Sequence, residues 1–353
     1  MKVQLPILFL WPLAAVYGAV VRFRTEFYRR GWLRAHATGI PVISIGNITA
    51  GGTGKTPMAI HVAQLLLRRG LRVAVLSRGY KRTIRNPKSN ILVVSDGVSM
   101  RCAVDQAGDE PYLMASRLLG SAQKPGAFVI VGKDRVAGAK MAVELGAQAI
   151  VLDDGFQHLR LRRDLDIVLL DAGRPLGSGW LLPAGRLREP AGALGRASAL
   201  VFTRAVAAGR PTGSDRLAAG KPAFASRHVP AGLFRWRSNT ATDPAELAGK
   251  RVLLFSGIAR PESFERSAGE LGVDSCGHLR FGDHHGYSDA DLGRIAAAAS
   301  SGDALVTTEK DAVRLPLTWG PGKPLYVLRI GIEFVKDAER FEQLVLSAVG
   351  KSA

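Results

Sequence analysis

Cysteine is almost missing from this chain of 353 residues: Cys102 and Cys276 are its only two. They build no disulfide framework and no Cys-x-x-Cys metal site, so both read as ordinary buried thiols of a cytosolic chain. Acidic residues are also scarce. Thirty Asp and Glu face 48 Lys and Arg, a formal net charge of +18. That imbalance argues for an anionic partner: nucleic acid, an acidic membrane surface or a phosphorylated substrate. Repeats and low-complexity tracts are lacking, which excludes a solenoid or a fibrous chain. With 47% apolar residues, the chain is long enough for two domains with cores of their own.

What is present centres on Ile45-Gly46-Asn47-Ile48-Thr49-Ala50-Gly51-Gly52-Thr53-Gly54-Lys55-Thr56-Pro57. A β-branched run (41–45) enters this stretch and a helical pattern (58–69) leaves it. Strand, glycine-rich turn, Gly-Lys-Thr and helix in that order describe a P-loop. Glycines let backbone N–H groups face phosphate without Cβ clashes, and the helix N-terminus adds free N–H groups and the positive end of its dipole. Thr49, Ala50, Gly51, Gly52, Thr53 and Gly54 are thus the expected cradle. Lys55 is expected to reach the β- and γ-phosphates of ATP, and Thr56 to hold Mg²⁺. The first glycine of the usual motif is replaced by Thr49.

Residues 5–21 carry no charge. As a helix they would measure about 26 Å, short of a bilayer core of about 30 Å. An Arg-rich stretch with Phe23, Phe27, Tyr28 and Trp32 follows. Apolar residues beside Arg and aromatics fit a segment lying in the interface of an anionic membrane. The alternative is a helix packed on the protein body.

Beyond residue 41, apolar runs at 72–77, 91–95, 128–131, 149–152, 166–171 and 200–203 alternate with helical patterns at 109–119 and 134–145. This predicts an α/β fold with a mostly parallel sheet covered on both faces, and a ligand at the carboxyl ends of its strands. A second block follows with strands at 251–256, 304–308 and 325–330. The expected division is a membrane-interface segment at 1–38, a P-loop domain at 39–225, an extended linker at 226–248 and a smaller α/β domain at 249–353.

Asp153-Asp154 closes an apolar strand, where a carboxylate would organise Mg²⁺. Asp109-Glu110 opens a helix, either as a dipole-complementing first turn or as carboxylates aimed at the nucleotide. Gly282-Asp283-His284-His285 suits an acid/base or orienting histidine beside a carboxylate, against a solvated loop. The loop 182–190, with Arg186, Arg188 and Glu189, either binds phosphate or sugar hydroxyls or is merely solvated. No helix-turn-helix or aromatic RNA-binding module appears, so a nucleic-acid partner is not expected.

Taken in order, GNITAGGTGKTP, SRGY, GDEP, GKDR, LDDGFQH, LPAGRLREP, FSGIARPESF, FGDHHGYS and VTTEKDAVRL resemble the tetraacyldisaccharide 4′-kinase family of lipid A biosynthesis. The resemblance implies a P-loop kinase with a smaller C-terminal α/β domain, working at the cytoplasmic face of the inner membrane. It implies transfer from ATP to the 4′-hydroxyl of a tetraacylated disaccharide 1-phosphate, with Asp109 as base and His284 as its partner. It further implies that Glu110, Asp153 and Asp154 organise Mg²⁺, and that Gln157, His158, Arg188 and Glu189 surround the nucleotide or the acceptor. A membrane-recruited P-loop ATPase acting as a switch or assembly factor is the alternative activity.

Overall fold

A computed structural model describes residues 4–79, 91–205 and 213–350, with side chains from residue 10 onward. Tyr80 of the SRGY motif and residues 206–212 of the Gly/Ala/Pro-rich stretch lie outside the described residues. The chain divides into two compact units, residues 1–227 with 332–353, and residues 228–331.

The first unit begins with helix α1 (Gln4–Arg29). Ala14 and Gly18 are buried on one face of it, four residues apart as helical spacing requires. A Cβ at position 18 would stand 2.6 Å from Leu181 Cδ1, so any larger residue there requires that leucine side chain to move. Trp11, Leu13, Val16, Val20 and Phe23 remain exposed. Small residues thus pack α1 on the body while large apolar ones face outward. Among the described residues no helix is long and apolar enough to cross a membrane.

Strands β1 (Val42–Asn47) and β2 (Val73–Ser77) flank helix α2 (Lys55–Arg68) in sequence. β3 (Ile91–Asp96), α3 (Val104–Ala107), α4 (Asp109–Leu118), β4 (Phe128–Gly132), α5 (Arg135–Glu144), β5 (Ala149–Asp153), β6 (Leu165–Asp171), β7 (Ala199–Thr203) and α6 (Ser214–Ala218) follow. The sheet runs β3-β4-β2-β5-β1-β6-β7, antiparallel only at β3. Every residue of β1, β2, β5 and β7 is buried. Their continuous apolar runs are what a sheet covered on both faces demands. Parallel pairing brings the ends of β1, β2, β5, β6 and β7, namely Asn47, Ser77, Asp153, Asp171 and Thr203, to one edge.

Strand β8 (Ala223–Arg235) starts parallel to β7 and leaves the first unit after Arg227. In the second unit its end forms a hairpin with β9 (Ala241–Thr242). β10 (Val252–Ser256), α7 (Pro261–Glu270), β11 (Ser275–Arg280), α8 (Asp289–Ala298), β12 (Ala304–Thr308), α9 (Glu309–Ala312) and β13 (Leu325–Phe334) follow. The order β11-β10-β12-β13 is wholly parallel. The chain re-enters the first unit at Ile332. Helix α10 (Ala338–Gly350) sends Phe341 and Val345 into the core that holds Ile43, Met58 and Val62.

Three expectations change. The stretch read as a linker at 226–248 carries most of β8, the hairpin and a 3₁₀ turn. His228, Pro230 and Gly232 interrupt the alternation that marks a strand. The last helix groups with the first unit, because its apolar face completes that core. Cys276 is exposed and Cys102 only half-buried, since Cys276 sits on β11, an edge strand with no fully buried residue.

Candidate active site

Thr49 to Gly54 link β1 to α2. The left-handed backbone at Gly51 (φ 117°) and Gly54 (φ 85°) explains glycine at both positions. A Cβ at Gly51 would meet nothing within 4 Å, so there the demand is conformational. Gly46 is different: a Cβ would lie 2.5 Å from Phe156 Cβ and 2.8 Å from its backbone nitrogen.

The loop is pinned from several sides. Asn47 Nδ2 donates to Thr53 Oγ1 at 2.8 Å, and Thr203 Oγ1 donates to Thr53 O at 3.0 Å. Ala50 N donates to Arg186 O at 2.6 Å, and Thr49 bridges Leu187. Arg204 donates to Gly52 O and pairs with Asp171 at 2.5 Å. Arg204 was not legible as a site residue; its place just past an apolar strand was the available signal.

Lys55 opens α2, and its Nζ lies 3.6 Å from Asp154 Oδ1. Arg188 Nη1 donates to both oxygens of Asp154 at 2.9 Å. Asp154 sits at φ 52°, a left-handed conformation costing a non-glycine residue about 1 kcal/mol. Burial pushes its pKa upward, but Lys55 and Arg188 hold the carboxyl below the usual range.

Asp153 differs. Its carboxylate is buried, it accepts from Ser77 Oγ at 3.0 Å, and its other oxygen, Oδ1, has no hydrogen-bond partner. Burial, then the charges of Glu110 and Asp154, raise its pKa to about 7, against the pull of Lys55. An orphaned buried carboxylate oxygen beside two further carboxylates fits a divalent cation. Thr56, also buried, stands one residue after Lys55. No group of three or more His, Cys, Asp or Glu among the described residues forms a metal cage. Mg²⁺ ordinarily takes one or two carboxylates plus phosphate and water, so none is required.

The structure therefore groups Lys55, Asp153, Asp154 and Arg188, with Ser77 added and the charge of Glu110 acting on Asp153. Asp109 and Glu110 form the first turn of α4 after Gly108 (φ 87°). Gln157 and Glu189 brace the loop's base: Gln157 Nε2 donates to Asn47 O at 2.9 Å and to Glu189 Oε1 at 3.0 Å. Glu189 is buried and paired with Arg196 at 2.8 Å. His158 lies instead among Arg135, Arg163 and Arg24, and burial with those charges lowers its pKa to about 4.

The second unit holds His284, half-buried, at φ 59°, with its backbone nitrogen donating to Gly257 O at 3.1 Å. His285 instead pairs with Asp291 at 3.1 Å and stacks on Phe281. Ser256, His278 and Glu265 are linked at 2.9 and 2.5 Å in the order of a nucleophile, base and orienter. Ser256 is fully buried, so no substrate reaches its hydroxyl and the chain of bonds is structural.

A P-loop on a central parallel strand, with paired carboxylates ending the adjacent strand, defines a P-loop phosphotransferase site of the α/β class. The LpxK family model, tetraacyldisaccharide-1-P 4′-kinase, matches residues 7–350, and the chain belongs to this family. Tetraacyldisaccharide 4′-kinase of Desulfatibacillum aliphaticivorans is 40% identical over 346 residues, covering 95% of this chain and 90% of that protein. The protein of the same name from Geobacter metallireducens is 43% identical over 306 residues, covering 86% and 87%. The crystal structure of LpxK from Aquifex aeolicus, described as an "apo" form in complex with ATP, superposes with a TM-score of 0.79. It is 31% identical, and the match covers 98% of this chain and 100% of that one.

Proposed function

We propose that this chain transfers the γ-phosphoryl group of ATP to the 4′-hydroxyl of a tetraacylated disaccharide 1-phosphate. The observation that carries the reading is the P-loop lysine held against Asp154 beside the orphaned carboxylate of Asp153. Phosphoryl transfer asks a protein mainly for positioning and charge neutralisation. Backbone N–H groups of residues 51–56 would hold the phosphate chain, with Lys55 on its terminal oxygens. Arg188 keeps Asp154 ionised and directed, so Lys55 stays in place before a nucleotide arrives. Thr56, Asp153, Asp154 and Glu110 would hold Mg²⁺, which when bound neutralises phosphate charge.

Asp109, in the first turn of α4, is proposed to accept the hydroxyl proton, with His284 as its partner. A sugar hydroxyl is a weak nucleophile, and a positioned carboxylate eases its attack. The exposed apolar side chains of α1 and the Arg cluster after them support a proposal that the protein lies against the anionic cytoplasmic leaflet of the inner membrane. An amphiphilic acceptor would be met there.

The test is incubation of the full chain with labelled ATP, Mg²⁺ and lipid A disaccharide 1-phosphate in mixed micelles. The expected product carries a new phosphate at the 4′ position. ATP hydrolysis that ignores the lipid and leaves it unphosphorylated would replace the kinase reading with that of an ATPase switch.

A further inference from the structure

We infer that Arg314, anchored on the buried carboxylate of Asp311, sets the tautomer of His284 and makes that histidine a hydrogen-bond donor through Nε2. The inference deepens the reading above and rests on it only for the claim that His284 takes part in the transfer.

The geometry starts at Asp311, which is fully buried in the second unit. Its carboxylate accepts from Gly257 N at 2.9 Å, Tyr287 OH at 3.0 Å and Thr308 Oγ1 at 2.6 Å. Burial and the charge of Asp311 raise the Tyr287 pKa, so that hydroxyl remains a donor. Arg314 Nη1 lies 3.4 Å from the same carboxylate and 3.5 Å from Gly257 O. Gly257 carries the loop of His284 as well: His284 N bonds its carbonyl, and a Cβ on it would sit 2.9 Å from His285 Cβ. One carboxylate thus fixes the guanidinium and the loop together.

From there Arg314 Nη2 lies 3.3 Å from His284 Nδ1. A guanidinium has five N–H donors, no acceptor, and does not lose its proton in proteins. The contact is a hydrogen bond only if Nδ1 offers its lone pair. A neutral imidazole bonded in this way carries its single proton on Nε2. His284 then presents an N–H, the complement of an ionised carboxylate, which accepts only. In that tautomer His284 is a donor and not a proton acceptor at Nε2, so its part in the proposed reaction is to orient an acceptor rather than to take the sugar proton. Arg314 is a positioning residue, acting through the histidine.

The experiment uses the full chain labelled with ¹⁵N-histidine. Long-range ¹H–¹⁵N spectra at mildly alkaline pH report which ring nitrogen bears the proton, and His284→Gln assigns the signal among the seven histidines. The expected wild-type spectrum shows Nε2 protonated and Nδ1 bare. In Arg314→Met the two tautomers should mix, and kcat should fall roughly ten- to a hundredfold with KM little changed. Arg314→Lys, which keeps a donor, should restore part of both. A wild-type signal with the proton on Nδ1, or a tautomer unmoved by Arg314→Met, overturns the inference. The wild-type spectrum needs no variant to fold. If the tautomer behaves as expected but His284→Ala retains full kcat, the role given to His284 in the transfer fails while the tautomer assignment stands.

Discussion

Replacing Asp153 with Asn should stabilise the metal-free protein while abolishing its activity. The carboxylate is buried with one oxygen unpartnered, and burial with the charges of Glu110 and Asp154 lifts its pKa from 3.8 to about 7. At about 1.4 kcal/mol per unit, ionised Asp153 costs the fold about 4 kcal/mol above pH 7. The sign follows from proton counts. Between the two pKa values the folded chain keeps a proton that the unfolded chain has released, so stability falls as pH rises through that window. An amide does not titrate. Its oxygen still accepts from Ser77, and its N–H group faces two carboxylates instead of adding a third. The advantage of the variant should therefore grow by about 2 kcal/mol between about pH 5.5 and about pH 8.5. Any contribution from His158 is common to both proteins and cancels. The assay is urea unfolding of the full chain, read by hydrogen exchange of β1 and β5 fragments, across that pH range. Saturating Mg²⁺ and ATP should shrink the difference, because a bound cation compensates the wild-type carboxylate. A difference that stays flat with pH, or a variant less stable than wild type at the alkaline end, would refute the reasoning.

Lys55→Ala should lower kcat by roughly a hundredfold or more without altering the circular dichroism spectrum; near wild-type turnover would remove the P-loop from the chemistry. Gly46→Ala places a Cβ 2.5 Å from Phe156 Cβ, so a loss of about 1–3 kcal/mol is expected, and an unchanged Tm would contradict that packing. Asp109→Ala and His284→Ala should each depress kcat with modest change in KM, and the double variant should be little worse than the more damaging single one. Fully additive losses would show that the two residues act separately. Substituting Glu for the exposed Trp11, Leu13 and Phe23 together should abolish co-sedimentation with phosphatidylglycerol vesicles while the protein stays folded. Undiminished co-sedimentation would place the membrane contact elsewhere.

The parallel sheet was legible because buried parallel strands are short apolar runs, and β1, β2, β5 and β7 are such runs. The P-loop was legible because phosphate binding imposes glycine, lysine and hydroxyl at fixed spacing. β8 was not, since His228, Pro230 and Gly232 break its pattern. Nor was the attachment of α10 to the first unit, which depends on a core assembled from residues some 300 positions away. Among the site residues, local order determined Lys55, Thr56 and the strand-ending Asp153-Asp154. Only tertiary structure separated the two carboxylates into one held low by Lys55 and Arg188 and one raised by burial, because a pKa is set by neighbours in space. It likewise turned Gln157 and Glu189 into braces of the loop, moved His158 into an arginine cluster, and revealed Arg204 on Gly52 and Arg314 on His284. The last two contacts join residues 152 and 30 positions apart, a pairing that no local pattern encodes.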